Sequence, residues 1–299
     1  MNINIIGVPL FYGCDKKGVD LAPNKLRERN IISIIEKNNH KVFDLGNIYV
    51  PETSSKNKYL CHNKMKYLNE VITVNTNLAE QVYHSTNSKR FPIIIGGDHS
   101  IGLGSISGIS KTYDNLAVVW IDAHGDINTH VTTPSGNIHG MPLAAAMGMG
   151  HTNLTELYYD GIKVKPENVF IIGARDLDEG ELKLIKDRNL NIYTMEDIKN
   201  NSIEYIMKIV NDKLLQKNID AVHLSFDIDC LDSKLVPGTG TPVCDGMSIE
   251  ECKFALKSLL ETKLIKSLDF VELNTELDNT TQTIDLCVDL INWITKHIK

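Results

Sequence analysis

The sequence predicts an α/β fold: one three-layer α/β/α domain over residues 1–299, with helices on both faces of a mostly parallel sheet of about eight strands. Three observations carry this reading. Short runs rich in Val, Ile and Leu recur along the chain. Amphipathic stretches of helical period lie between most of them. Three of the runs end in segments dense in Asp and His, and in open α/β sheets sites form at the carboxyl ends of strands.

Strands are expected at 4–7, 41–45, 92–95, 116–121, 169–172, 191–194, 221–226 and 267–271, each an apolar, β-prone run. Helical patterns fall at 23–37, 64–85, 179–188, 203–216, 249–261 and 285–298, with Asp178, Asp197 and Ser248 placed to start three of them. Their Leu, Ile and Met stripes read as core. The polar, Gly-containing stretches 16–24 and 126–140 are the loops best suited to line a site, and 50–58 reads as a surface loop. No internal repeat or low-complexity linker divides the chain.

The chemistry lies in Gly96-Gly97-Asp98-His99-Ser100, Asp122-Ala123-His124-Gly125-Asp126 and Ser225-Phe226-Asp227-Ile228-Asp229. On an extended backbone, side chains alternate faces with period two. Asp122, His124 and Asp126 would then point one way, Asp227 and Asp229 would share a face, and Cys230 would turn away. A single Asp-x-Asp after a strand is usually a turn or a helix cap. Three acid–imidazole segments, each closing an apolar run, are not explained as caps. Carboxylates gathered without compensation repel one another and call for cations. The donors are oxygen and imidazole nitrogen, without thiolate. That set suits a mononuclear or dinuclear site for Mn²⁺, or for Fe²⁺, Co²⁺ or Mg²⁺, better than a structural zinc site.

Thirty-one Lys and Arg stand against 38 Asp and Glu, a net charge of −7, with no basic run interleaved with aromatics. Nucleic acid is therefore not an expected partner, and a carboxylate-rich site suits a cationic substrate. Cys14, Cys61, Cys230, Cys244, Cys252 and Cys287 include no Cys-x-x-Cys pair and read as reduced thiols of a cytoplasmic protein. The N-terminal Met1-Asn2-Ile3-Asn4-Ile5-Ile6 lacks a basic region and reads as a strand rather than a signal peptide. No run approaches a membrane span. His40, His62, His84, His151, His223 and His297 have no motif around them.

The chain resembles the ureohydrolases and, among them, the arginases. The resemblance runs from Gly7-Val8-Pro9 to Val271-Glu272-Leu273-Asn274. It is most specific at Asp122-Ala123-His124-Gly125-Asp126-Ile127-Asn128-Thr129 and at Ser135-Gly136-Asn137-Ile138-His139-Gly140-Met141-Pro142. The Ser-Gly-Asn-x-His-Gly part is similar to arginases rather than agmatinases. Arg175-Asp176-Leu177-Asp178 and Pro237-Gly238-Thr239-Gly240-Thr241-Pro242 fit the same pattern. Ser233 and Thr275 stand where the family usually has Pro, and the loop from Asp278 to Thr283 also departs from it. These differences touch loop geometry and remove no expected ligand.

The resemblance implies hydrolysis of L-arginine to L-ornithine and urea at two Mn²⁺ per chain. His99, Asp122, His124, Asp126, Asp227 and Asp229 would be the ligands. Asp122 and Asp227 would bridge the ions, His99 and Asp126 would complete one shell, and His124 and Asp229 the other. Two metals sharing a water lower its pKa and present a bridging hydroxide to the guanidinium carbon. Asp126 would orient that hydroxide, and His139 would shuttle the proton, a task that suits a near-neutral imidazole. Glu272 would face the guanidinium beside Thr241. Asn128, Thr133, Ser135 and Asn137 would hold the substrate's α-carboxylate. Asp178 would take its α-ammonium, with Glu181 nearby through water. Asp98 and Asp232 would fix loops. The family also implies a homo-oligomer, a trimer or hexamer. Three rival readings remain: an agmatinase or other guanidino-substrate ureohydrolase, a catalytically silent metal-binding subunit, and a metal-dependent amide hydrolase on a similar fold.

Overall fold

The computed structural model describes residues 1–299. Eight strands form one sheet: β1 (Asn2–Val8), β2 (Lys41–Asn47), β3 (Phe91–Gly96), β4 (Leu116–Ile121), β5 (Val169–Ala174), β6 (Asn191–Thr194), β7 (Ala221–Asp227) and β8 (Ile265–Val271). Every pairing is parallel, in the order β2-β1-β3-β8-β7-β4-β5-β6. β3, β4 and β7 are buried along their whole length. That is why they read as continuous apolar runs rather than alternating ones. β2, at an edge, is half-exposed.

Eleven α-helices cover the sheet: α1 (Ala22–Glu28), α2 (Ile31–Lys37), α3 (Leu68–Asn87), α4 (Gly102–Ile109), α5 (Pro142–Ala146), α6 (Thr152–Thr155), α7 (Glu179–Arg188), α8 (Met195–Asn201), α9 (Ile203–Gln216), α10 (Ile249–Glu261) and α11 (Gln282–His297). Leu26 of α1, Ile35 of α2, Met207 of α9, Leu256 of α10 and Leu290 of α11 pack with Val119, Phe170 and Leu224 in one core. Leu78 of α3, Ile106 of α4 and Leu143 of α5 pack with Ile94, Val118 and Trp120 in the other. No helix is long and apolar enough to cross a membrane.

The helical pattern at 23–37 is two helices, because the chain turns at Asn30 in a left-handed conformation (φ 58°) that Asn tolerates. α3 starts at Leu68 rather than 64, after a left-handed Tyr67. Asp178 and Ser248 are the residues at which α7 and α10 start. Asp197 is instead the third residue of α8, bonded reciprocally with the true cap, Thr194. α4, unread in the sequence, carries three glycines, which are poor helix formers. They are needed for close packing: a Cβ at Gly104 or Gly108 would strike the α3 backbone at Asn75 or Ala79.

β8 and β7 lie between β3 and β4. The carboxyl ends of β3, β8, β7 and β4 therefore stand side by side where the chain order switches.

Candidate metal centre and substrate cleft

Beyond β3 the chain runs against the segment after β1, where Gly97 donates to the Val8 carbonyl at 2.7 Å. A Cβ at Gly97 would land on the Leu10 carbonyl. Asp98 is consumed locally: its Oδ2 accepts from Gly13 N (2.8 Å) and Cys14 N (3.1 Å), and its Oδ1 from Ser100 N (3.1 Å). The next residue, His99, faces the sheet end. Its Nδ1 lies 2.9 Å from Asp122 Oδ2, 3.1 Å from Asp227 Oδ2 and 3.2 Å from Asp126 Oδ2. His124 Nδ1 lies 3.2 Å from Asp229 Oδ2 and 3.3 Å from Asp122 Oδ1. Two groups with metal-ligand spacing result, His99–Asp122–Asp227 and Asp122–His124–Asp229, and they share Asp122.

The extended-strand argument does not describe how these groups meet. β4 stops at Ile121, and Asp126 is left-handed (φ 51°). Asp122, His124 and Asp126 converge because the loop curls back on itself. Asp227 closes β7 and its Oδ1 accepts from Asp229 N at 2.8 Å, capping a short 3-10 turn. Cys230 is packed in the apolar core beside Cys252.

Alternation does hold one step earlier, inside the strands. Trp120, two residues before Asp122, donates Nε1 to Asp122 Oδ2 (2.9 Å) and stacks on His99 with ring centres 3.8 Å apart. Ser225, two residues before Asp227, meets His99 Nε2 at 2.8 Å. A buried polar row continues below it. Asp269 Oδ2 accepts from Ser225 Oγ (3.4 Å) and meets His223 Nε2 (3.0 Å), and His223 Nδ1 meets Ser267 Oγ (2.7 Å). The β7–β8 register puts Ser225 opposite Asp269 and His223 opposite Ser267. The sequence reading missed this row, though period two pointed to it.

Whether this set fits a cation is decided at His99 Nδ1. It is buried, has three carboxylate oxygens within 3.2 Å, and makes no well-formed hydrogen bond. One ring nitrogen carries at most one proton and can satisfy one of the three oxygens. A divalent ion would satisfy them all, with His99 held in one tautomer by Ser225. The electrostatics agree. Burial raises the Asp227 and Asp229 carboxyls, and neighbouring carboxylate charges add to it. Burial and the Asp122 charge push Asp126 up to about 6. Burial opposes charge on Asp122 as well, yet hydrogen bonds from His124 and His99 hold it well below the usual carboxylate range. Both imidazoles are raised against burial by the acids around them. The cluster is short of positive charge.

Above it opens a cleft lined by His124, Asp126, Asn128, Thr133, Pro134, Ser135, Asn137, His139, Gly140, Asp176, Asp178, Glu181, Asp227 and Thr241. No aliphatic side chain other than Pro134 lines it. Glu272, left-handed at the end of β8 (φ 66°), lies at the floor. Its Oε1 accepts from His99 N (2.8 Å) and lies 3.3 Å from His139 Nδ1. Burial opposes charge on His139, but the Glu272 bond and charge, helped by Asp126 and Asp98, raise it to about 9.

Residues 1–295 match the model of the Arginase family. The chain belongs to the arginase family. It is 43% identical to an arginase of Staphylococcus aureus (strain COL), over 97% of this chain and 95% of that one. It is also 43% identical to an arginase of Bacillus subtilis (strain 168), over 97% and 96%. A crystal structure of arginase from Bacillus cereus superposes with a TM-score of 0.92 at 42% identity, covering 99% of this chain and 98% of that one.

The rim of this arginase-family cleft is largely bonded to itself. Asn128 Nδ2 donates to Asp178 Oδ2 (2.8 Å), and Asn128 Oδ1 accepts from Thr132 Oγ1 (2.9 Å). Thr133 Oγ1 accepts from Gly136 N (3.0 Å), and Ser135 Oγ from Asn137 N (3.1 Å). Asn137 donates to Cys14 O (3.1 Å) and accepts from Lys66 Nζ (2.7 Å). Glu181 fastens Ile127 N (3.1 Å) and Asp178 N (2.9 Å). Its burial, with the Asp126 charge, pushes it up to about 7 against those bonds. Thr241 Oγ1 donates to Asp229 Oδ2 (3.1 Å). Asp176, which the sequence reading left without a role, stands exposed at the rim, 3.8 Å from His124 Nε2. Arg175 braces the ligand loop from behind, donating to the carbonyls of Asp229 (2.8 Å), Leu231 (3.0 Å) and Val243 (2.9 Å). Asp232 is a loop fastener, accepting from Lys234 N and Asp245 N. At Ser233 the backbone N–H bonds the Val243 carbonyl at 3.2 Å, a bond proline could not make.

Proposed function

We propose that this protein hydrolyses L-arginine to L-ornithine and urea at a dinuclear Mn²⁺ site. One observation carries the reading. In an arginase-family chain, two His/Asp groups that share Asp122, buried except for the half-buried His124, form the floor of a cleft lined by polar and charged side chains. His99, Asp126 and Asp227 with Asp122 would hold one ion, and His124 and Asp229 with the bridging Asp122 and Asp227 the other. Oxygen and imidazole donors without thiolate suit Mn²⁺. Two bound divalent ions would supply a water deprotonated near neutral pH and positive charge against the carboxylates.

The chain's own residues do the rest. Glu272, with one oxygen pinned by the His99 N–H, presents carboxylate charge to the guanidinium. Asp126 accepts the first proton of the attacking water and hands it to the side-chain nitrogen, and the water's second proton goes to solvent as the urea carbonyl forms. His139, paired with Glu272, passes a proton to the departing amine and regains one from solvent. Water adds to the guanidinium carbon, the bond to the side-chain nitrogen breaks, and that nitrogen leaves protonated on ornithine. Asp178 receives the α-ammonium, with Glu181 behind it. Asn128, Thr133, Ser135 and Asn137 receive the α-carboxylate, and Thr241 steadies Asp229.

The proposal treats residues 1–299 as one domain of a cytoplasmic homo-oligomer, a trimer or hexamer. Six free cysteines support the reducing setting. Urea release from L-arginine, agmatine and 4-guanidinobutyrate after Mn²⁺ loading tests the activity. Arginine turnover is expected. Agmatine turnover without arginine turnover would favour the agmatinase reading, and no urea from any of the three would sink both.

A further inference from the structure

His62, His130 and His151 come from three separate segments, yet their rings meet at one half-buried spot outside the cleft. Ring centres are 4.9 Å apart for His62–His151, 5.2 Å for His130–His151 and 5.7 Å for His62–His130, each pair edge to face. Three imidazoles around a tetrahedral ion have a comparable spacing. With a metal–nitrogen bond of about 2.0–2.1 Å and a ring centre roughly 1.1 Å further out, two such centres lie about 5.2 Å apart. Turning a ring about Cβ–Cγ swings its nitrogens and leaves its centre almost in place. The three ring centres therefore stand at the spacing of a coordinated trio, and the rings must turn to bring their nitrogens together.

A second observation is independent of the spacing. His130 Nδ1 is buried and has no hydrogen-bond partner, which native structures rarely leave without a reason. The other two rings are lightly held: His62 Nδ1 accepts from Lys64 N (3.1 Å) and His151 Nδ1 from Asn153 N (3.2 Å). Ligation through Nδ1 would replace that backbone bond. Ligation through Nε2 would move the ring proton to Nδ1. In both cases an N–H on the surface turns to water. Burial, the His151 charge and Lys64 lower the His62 and His130 imidazoles, which favours the neutral form a metal needs.

We propose that His62, His130 and His151 form a second metal site, open at its fourth position and selective for borderline ions such as Zn²⁺, Ni²⁺ or Cu²⁺. An all-imidazole set suits these ions, whereas Mn²⁺ binds such donors most weakly. The site is chemically distinct from the carboxylate-rich cluster at the cleft floor. It is also well placed to stiffen the substrate loop. His130 is two residues from Asn128, and the segment after His62 already braces that loop through Lys66 N to Gly136 O (2.9 Å) and Lys66 Nζ to Asn137 Oδ1 (2.7 Å).

The test titrates Ni²⁺ into full-length protein preloaded with Mn²⁺, by calorimetry, with Mn and Ni counted by elemental analysis after desalting. One Ni²⁺ per chain should bind without loss of Mn²⁺. His62→Gln, His130→Gln and His151→Gln, all at half-exposed positions, should each weaken it by more than the roughly 10–100-fold typical of losing an outer-shell partner. Cys61→Ser, which removes the neighbouring exposed thiol, should bind as wild type. Equal Ni²⁺ binding in the wild type and the triple Gln variant would overturn the site. So would Ni²⁺ uptake matched by Mn²⁺ loss, or binding lost only in Cys61→Ser.

Discussion

The floor of the cleft and its rim handle their polar atoms in opposite ways. On the floor, four carboxylates and two imidazoles are packed at strand ends with too little positive charge, and His99 Nδ1 faces three oxygens at once. On the rim, Asn128 is tied to Asp178, Thr133 to Gly136, and Asn137 to Lys66 and Cys14. The floor calls for an outside cation, whereas the rim is satisfied by itself. A substrate at the rim must therefore trade bonds with the protein. Floor substitutions should act almost as switches, and rim substitutions by degrees.

The largest effect is expected at Asp122, which belongs to both ligand groups. Asp122→Asn should lose both ions and essentially all turnover, and Asp229→Asn one ion and most turnover. Elemental analysis beside a urea assay checks this, and full metal content in Asp122→Asn would break the contrast.

Next comes the metal-free protein. Asp126 and Asp98 are raised to about 6 and Glu181 to about 7, each mainly by burial. His139 is raised to about 9 by Glu272 against its burial. A raised pKa means that the folded state binds more protons than the unfolded one, so stability falls as pH rises. The carboxyls lose their contribution between about pH 4 and 7. His139 contributes fully below about 6.5 and loses its contribution as pH rises through about 9. The low Asp122 opposes this in acid only. Thermal melts of chelator-treated protein should drop from pH 6 to pH 9, and Mn²⁺ should remove most of the drop. A flat metal-free profile would contradict the charge deficit.

The buried row behind His99 should give an intermediate effect. Ser225→Ala leaves every ligand in place but frees His99 Nε2. It should weaken metal affinity by roughly 10–100-fold, and unchanged affinity would show that Trp120 stacking alone orients the ring. At the rim, Asp178→Ala should raise KM for arginine while both ions stay. It also replaces the N-cap residue of α7, at a cost of about 1 kcal/mol in stability. The smallest effect is expected at Cys14→Ala. Burial and the Asp98 and Glu272 charges hold that thiol well above its usual value, so it is a poor nucleophile. A collapse of turnover there would place Cys14 in the chemistry.

Much of this architecture is legible in the sequence, for identifiable reasons. Parallel strands covered on both faces must be apolar throughout, so β4 and β7 stand out. α4 does not, because Gly104 and Gly108 serve its packing against α3, and Gly102 its packing against Trp120, at the cost of helix propensity. At the floor the residues could be read as a set, but the geometry that gathers them could not. Left-handed Asp126 and Glu272 leave no mark in a periodicity. His223 has no motif around it, and its link to Ser225 and Asp269 is hidden because the partners lie across the strand register. The rim bonds stayed hidden for a similar reason: Lys66 and Cys14 reach Asn137 from distant segments.

The most direct test compares kcat/KM for arginine and agmatine on wild-type protein carrying two Mn²⁺ per chain. Agmatine lacks the α-carboxylate, so groups that trade their bonds for it would be left without a partner. Arginine should be preferred by on the order of a hundredfold or more. Equal rates, or a preference for agmatine, would contradict an arginine-directed rim while leaving the metal floor in place.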